Sequence, residues 1–398
     1  MGPAGQMEQH YFLGRVESVR GLAALCVALY HGQLVLSLPG DDPLYSAGLA
    51  GLAGVQAVLA KCLLIPFNGP GAVALFFVIS GWVLGLSLDR RSSGFLTDSA
   101  RFLLQRVLRI YPAFFVALLI ITAGVAVLAP HPPYAGASQW FNTWYRQPLS
   151  ISEVFANLVF LDTGMNNVTW TLRVELEMAV LFPLLHLLSR RLALVANVLA
   201  LGLFAGLCAV LPDPSTLKWA FAFYAGLLLP QWGPWFATTI RTSAVGAGPW
   251  MAAMLVVFGA VRSVSLQTSL EWAIPLVEIL SGAMLLACVV HWSDQRWLAW
   301  LDSAAVRKVG RISYSFYVLN FFVLYVWGLL FLALVPGATL AAAPLLWNSV
   351  IGVVACCSSL PLAAWSYRWI ERPWIECGRR WTRGKADSAP RVELARAA

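Results

Sequence analysis

The sequence predicts an all-α fold: a polytopic membrane helix bundle of about ten transmembrane helices with both termini cytoplasmic. Three observations predict it. Hydrophobic residues fill 59% of 398 positions and charged residues only 12%, about half the charged share of an ordinary soluble domain. The apolar residues cluster in runs of about 18–25, long enough to cross roughly 30 Å of hydrocarbon. The basic residues then fall mostly on one side of those runs, so the net charge of +8 reads as topology and not as a nucleic-acid face.

The spans lie at 17–38, 70–88, 107–129, 171–189, 192–211, 217–236, 245–261, 271–292, 312–335 and 345–367. With the N-terminus inside, 22 Lys and Arg lie on the inner side and 4 outside: Lys61, Arg146, Lys218 and Arg262. Arg173 falls just within a span. That bias predicts a multi-pass protein of the cell inner (plasma) membrane. Trp140, Trp144, Trp170, Trp232, Trp235, Trp292 and Trp297 sit where spans meet water, as an interfacial belt does. The first run opens after Arg15 and Arg20 with no Ala-x-Ala-like exit, which predicts a retained anchor.

Two outer segments need separate treatment. Residues 48–67 are apolar enough to cross, but a crossing there would invert every later loop and reverse the charge bias. They are expected outside, as a re-entrant or surface-lying helix. Residues 130–170, rich in Pro, Trp and Asn, are expected to form a lid; Asn167-Val168-Thr169 within them matches a glycosylation triplet at a chance-level count. Residues 1–378 make the membrane domain, and 379–398 read as a disordered cytoplasmic tail. The seven cysteines show no CxxC spacing and suggest neither a disulfide framework nor a metal site. HExxH, Gly-x-Ser-x-Gly and Walker A patterns are missing, which weakens metalloprotease, serine hydrolase and ATPase readings.

Ionisable groups at membrane depth are costly and mark function by default. Arg20 and His31 share one face of the first span, 11 residues and about 16 Å apart. Glu175 lies one to two turns below the outer surface on the fourth span, at the depth expected of His31, and Glu278 is similarly deep on the eighth. Ser313, Tyr317 and Asn320 form a polar stripe on the ninth. Arg106 and Arg109 are i, i+3 at the start of the third span, where paired guanidinium groups suit phosphates. Each has a plainer reading: an interhelical hydrogen bond for His31, an Arg partner for Glu175, a head-group anchor for the arginine pair. His10, His131, His186 and His291 lie at ends or in loops and are set aside.

These segments resemble the acyltransferase 3 family of membrane O-acyltransferases over most of the chain. Arg15 to Ala24 running on to Tyr30-His31 is similar to its opening helix with Arg-x10-His spacing. Gly71 to Gly81 is similar to its glycine-flanked second span. Arg106-Val107-Leu108-Arg109-Ile110-Tyr111-Pro112, Trp170-Thr171-Leu172-Arg173-Val174-Glu175, Gly310 to Tyr317 and Glu371-Arg372-Pro373 resemble four further signatures, in order. Two departures stand out. Asn320 occupies a position where many members carry His, and no fused soluble domain follows Glu371-Arg372-Pro373, so the chain is expected to act alone or with a separate partner protein.

The resemblance implies transfer of an acyl group, usually acetyl, from acyl-CoA to a hydroxyl of a carbohydrate or glycan acceptor, with no bound cofactor and no metal. Arg20, Arg106 and Arg109 are then expected to bind the donor's phosphates. His31 is expected to act as base or to carry the acyl group itself, with Glu175 as its supporting acid. Trp170, Ser313, Tyr317, Asn320 and Glu278 are expected to line the pocket. Glycines at 69, 71 and 81 are expected to let helices close around the donor arm. The rival readings are a proton-coupled carrier of a small polar or glycan-like substrate and a non-catalytic sensor. Carriers usually show internal duplication, and none is evident in this sequence.

Overall fold

The computed structural model describes residues 3–38, 44–52, 54–91, 93–213, 215–292 and 294–382, with side chains from residue 14 onward. Helices follow in the order α1 (Pro3–Gly32), α2 (Val55–Leu64), α3 (Gly69–Asp89), α4 (Phe95–Leu128), α5 (Ile151–Leu158), α6 (Thr169–Arg191) and α7 (Leu194–Val210). The chain continues through α8 (Thr216–Thr242), α9 (Ala247–Ser265), α10 (Ile274–His291), α11 (Ala304–Leu334), α12 (Gly337–Ala342), α13 (Pro344–Ser366) and α14 (Arg372–Trp381). No strand forms among the described residues, where one isolated bridge joins Leu36 to Ala137.

Each expected span coincides with a long helix, but they divide into two kinds. Six stretches among the described residues are long and apolar enough to cross a membrane: Val55–Asp89, Phe95–Leu128, Ala247–Ser265, Glu271–His291, Ala304–Leu334 and Pro344–Trp381. Helix α7 is apolar but only 17 residues long. Helices α1, α6 and α8 have the length, at 30, 23 and 27 residues, but α1 and α6 carry embedded charge and α8 carries Pro230, Gln231 and Pro234. Arg15, Glu17 and Arg20 interrupt α1, and Arg173, Glu175 and Glu177 interrupt α6.

The boundaries differ from expectation at three places, each for a local reason. Helix α1 stops at Gly32 instead of residue 38. Asn348 of α13 diverts the chain there: its Oδ1 accepts from Leu36 N at 2.8 Å and its Nδ2 donates to Gln33 O at 3.0 Å. The apolar run Leu34-Val35-Leu36 is buried in this turn and not in helix. The 48–67 segment forms a short 3-10 turn and the ten-residue α2. At about 15 Å, α2 is half the hydrocarbon thickness. Residues 379–381, expected in the tail, belong to α14, which runs to Trp381; residues 383–398 of the expected tail lie outside the described residues.

The bundle is built on close helix seams. Along α1 and α11, a Cβ on Gly310 would lie 2.0 Å from the carbonyl oxygen of Glu17, and one on Gly21 would lie 2.6 Å from Gly310 N. Backbone meets backbone there, which only glycine allows. Below the seam Arg15 bonds Asp302 at 2.7 Å, and Arg307 holds the other oxygen of that carboxylate at 2.9 Å. Burial works against the Asp302 charge, but the two guanidinium groups outweigh it and hold its carboxyl below the usual carboxylate range. Gly81 similarly meets the Phe223 carbonyl of α8. Gly310→Ala should therefore lower the unfolding temperature in detergent by several degrees, with Gly206→Ala as control, since an added Cβ there meets nothing within 4 Å. Equal melting of the two variants would refute the seam's importance.

Candidate active site

Two cavities lie one beyond the other along α1. The inner one, about 60 Å³, is lined by Arg20, Arg106, Arg109, Glu175, Ser80 and Ser313 among others. The outer one, about 410 Å³, holds His31 among Trp140, Trp144, Trp170, Tyr30 and Asn167. Val73 and Tyr317 line both, so the two are neighbours across a thin partition. The Thr171 hydroxyl, which donates to Val168 O at 2.8 Å, lies 3.2 Å from the Tyr317 hydroxyl at that partition.

The inner cavity concentrates charge. Arg20 comes from α1, and Arg106 and Arg109 from one face of α4. Glu175 of α6 acts electrostatically on both Arg20 and Arg106. It accepts a hydrogen bond from Ser80 at 3.1 Å. Glu371, 2% exposed, takes a bond from Ser315 at 2.9 Å and feels Arg109 and Arg20. Three guanidinium groups and one carboxylate, Glu175, thus line the cavity, while Glu371 and Glu17 act on Arg20 from beyond the lining. Ser313, 1% exposed, has a hydroxyl oxygen with no hydrogen-bond partner.

The outer cavity is aromatic. His31, 8% exposed, stacks on Trp140 with centroids 5.5 Å apart and meets Phe321 edge-on at 5.7 Å. Its Nε2 lies 3.3 Å from the Asn167 side-chain nitrogen. An amide nitrogen only donates, so Nε2 accepts and the ring proton sits on Nδ1. Asn167 thus occupies the Nε2 lone pair, and an acceptor hydroxyl must displace it to reach the base. The 130–170 segment does form the cover. It pairs with the chain after α1 through Ser37 N to Gly136 O (3.0 Å) and Ser138 N to Val35 O (2.9 Å). It is pinned to α11 where Tyr325 OH lies 2.8 Å from His131 Nε2 and donates to Trp144 O at 3.2 Å.

The expected residues are therefore only partly brought together. Arg20, Arg106 and Arg109 converge, and His31, Trp170 and Tyr317 share the chamber. Glu175 does not support His31; its hydrogen bond and its charge interactions belong to the inner cavity. Glu278 does not line either cavity. It is fully buried and bonds Arg262 through both oxygens at 2.9 Å, with Asn68 Nδ2 on Oε1 at 2.9 Å, tying α3, α9 and α10. Asn320 turns away to Ser359 of α13 at 3.1 Å. Asn167, which faces the imidazole, carries no sequence signal beyond a glycosylation triplet expected by chance, and Glu371 none beyond Glu371-Arg372-Pro373.

The acyltransferase domain of the acyltransferase 3 family matches residues 13–368. The chain belongs to the acyltransferase 3 family. It is an acyltransferase and a membrane protein, which decides for enzyme over carrier. Acyltransferase MdmB of Streptomyces mycarofaciens is 24% identical over 296 residues, covering 68% of this chain and 72% of that protein. Nodulation protein 10 of Rhizobium leguminosarum bv. viciae is 34% identical over 154 residues, 34% of this chain and 39% of the other. No solved structure matches. Within this acyltransferase 3 member the family's Arg-x10-His pattern spans the two cavities, with Arg20 in the inner and His31 in the outer.

Proposed function

We propose that this acyltransferase takes an acyl group, acetyl in the simplest case, from acyl-CoA at the cytoplasmic face of the inner (plasma) membrane. It passes the group to a carbohydrate hydroxyl on the outer side. The observation that carries this reading is the stacking of a cationic cavity and a histidine chamber that share Val73 and Tyr317. Arg20, Arg106 and Arg109 would hold the donor's phosphates, and the pantetheine arm would pass the Tyr317 partition to bring the thioester beside His31. His31 Nε2 then takes the proton of the acceptor hydroxyl, whose oxygen attacks the thioester carbonyl. The C–S bond breaks as the ester forms, and the proton returns to the departing CoA thiolate. The order implies ten crossings, both termini cytoplasmic and α2 on the outer side, with the acyl chain rather than the protein making the traverse.

Sealed inside-out vesicles separate the possibilities. Acetyl-CoA labelled in its acetyl group and supplied outside them, at the cytoplasmic face, should leave label esterified to glycans in the lumen. Label that stays outside, or esters that form only when donor is enclosed with the acceptor, would sink the sidedness.

A further inference from the structure

We propose that the histidine chamber continues into a second acceptor subsite, built for a hydroxyl-bearing unit linked to the one being acylated. The proposal rests on the acyl-transfer reading above. A cavity of about 470 Å³ adjoins the chamber and shares Leu34, Tyr45, Gln139 and Trp140 with it. The two are of comparable size, so an occupant filling both has two units of similar bulk.

The polar lining decides what the second unit is. Several of its groups are already committed to holding the cover: Ser37 Oγ donates to Ala137 O at 2.8 Å, and the Asn142 side chain bonds both backbone groups of Tyr134. Gln33 is different. It is 7% exposed, its Nε2 donates to Ser349 Oγ at 3.0 Å, and its buried Oε1 has no hydrogen-bond partner. The Asn348 bonds to the 33–36 turn fix the backbone that carries it. A preorganised amide oxygen can only accept, and leaving it unpaired in a buried site is unfavourable. Its complement is a donor, and a hydroxyl supplies one where an ionised carboxylate, a phosphate diester or a hydrocarbon chain does not. Gln139, exposed at the boundary, offers a further amide to either unit, and Trp140 stands as the wall between them. The acceptor is therefore a chain of at least two polyhydroxylated units, and Gln33 selects for the unit next to the reacting one.

The test uses membranes of cells making the full chain, their own glycans as acceptor, and acetyl-CoA labelled in the acetyl group. In Gln33→Leu, transfer at limiting glycan should fall at least tenfold, while slow release of free CoA without glycan stays at the wild-type rate. Gln33→Glu keeps an acceptor at that position and should restore most transfer. The labelled product should resist reduction to single-sugar esters unless a glycosidic bond is cleaved. Wild-type transfer by Gln33→Leu, failure of Gln33→Glu to improve on it, or label found on single sugars would overturn the subsite. A wild-type membrane that transfers no label overturns the acyl-transfer reading itself, a result distinct from all of these.

Discussion

His31→Ala is expected to fold, insert and bind donor, but to transfer acyl groups about 10²–10⁴-fold more slowly, the range a general base contributes. The reason lies in the chamber's composition. Its lining holds one imidazole and no carboxylate, and Glu175, the nearest alternative in the motif, spends its oxygens in the inner cavity. Trp140 and Phe321 enclose the ring, so removing it leaves an apolar gap that no neighbouring base enters. His31→Gln keeps a polar group near Asn167 but accepts no proton, and should fail as completely. The measurement is single-turnover transfer to glycan with saturating acetyl-CoA. Turnover within a few-fold of wild type in either variant would remove His31 from the chemistry.

The second large effect falls on binding. Arg106→Ala combined with Arg109→Ala should raise the donor KM about 10²-fold or more, since bonds to charged groups contribute about 1.5–3 kcal/mol each. Maximal rate should change much less, because phosphate contacts act on ground and transition states alike. Lysine at either position should restore the charge but not the two-pronged grip. Because Glu175 shares this cavity, Glu175→Gln should shift the donor KM and leave the pH profile of the His31 step in place. An unchanged donor KM in the double variant would make the arginine pair a membrane anchor only.

Much of this was legible in the sequence, and the failures have identifiable causes. Apolar run length located every long helix, although only six stretches among the described residues are long and apolar enough to cross a membrane. Misplaced charge located the inner arginines. The expected His31–Glu175 pair failed on arithmetic that was sound for the wrong helix end. With α1 ending at Gly32, His31 sits at the helix end, whereas Glu175 lies six residues into α6. That offsets them by about 7 Å along the bundle. Rise per residue also says nothing of azimuth, which is why Glu278 and Asn320, at plausible depths, face Arg262 and Ser359 instead. Asn167 carried no signal of its own, because a loop residue is placed by tertiary contacts such as the Leu36–Ala137 bridge.

The polarity of α1 has a consequence for how the protein is made. An arginine at the centre of a helix opposes membrane insertion by about 2.5–3.5 kcal/mol, and α1 carries its charges beside the helices that will accept them. Its seam partner α11 and its clamp α13 leave the ribosome near the end of synthesis. Helix α1 can therefore pack on α3 early, but its seam with α11 and its contact with α13 close only near the end of synthesis. A chain halted before residue 304 would lack α11 and α13, leaving the Gly21 face of α1 uncovered while its α3 face stays packed.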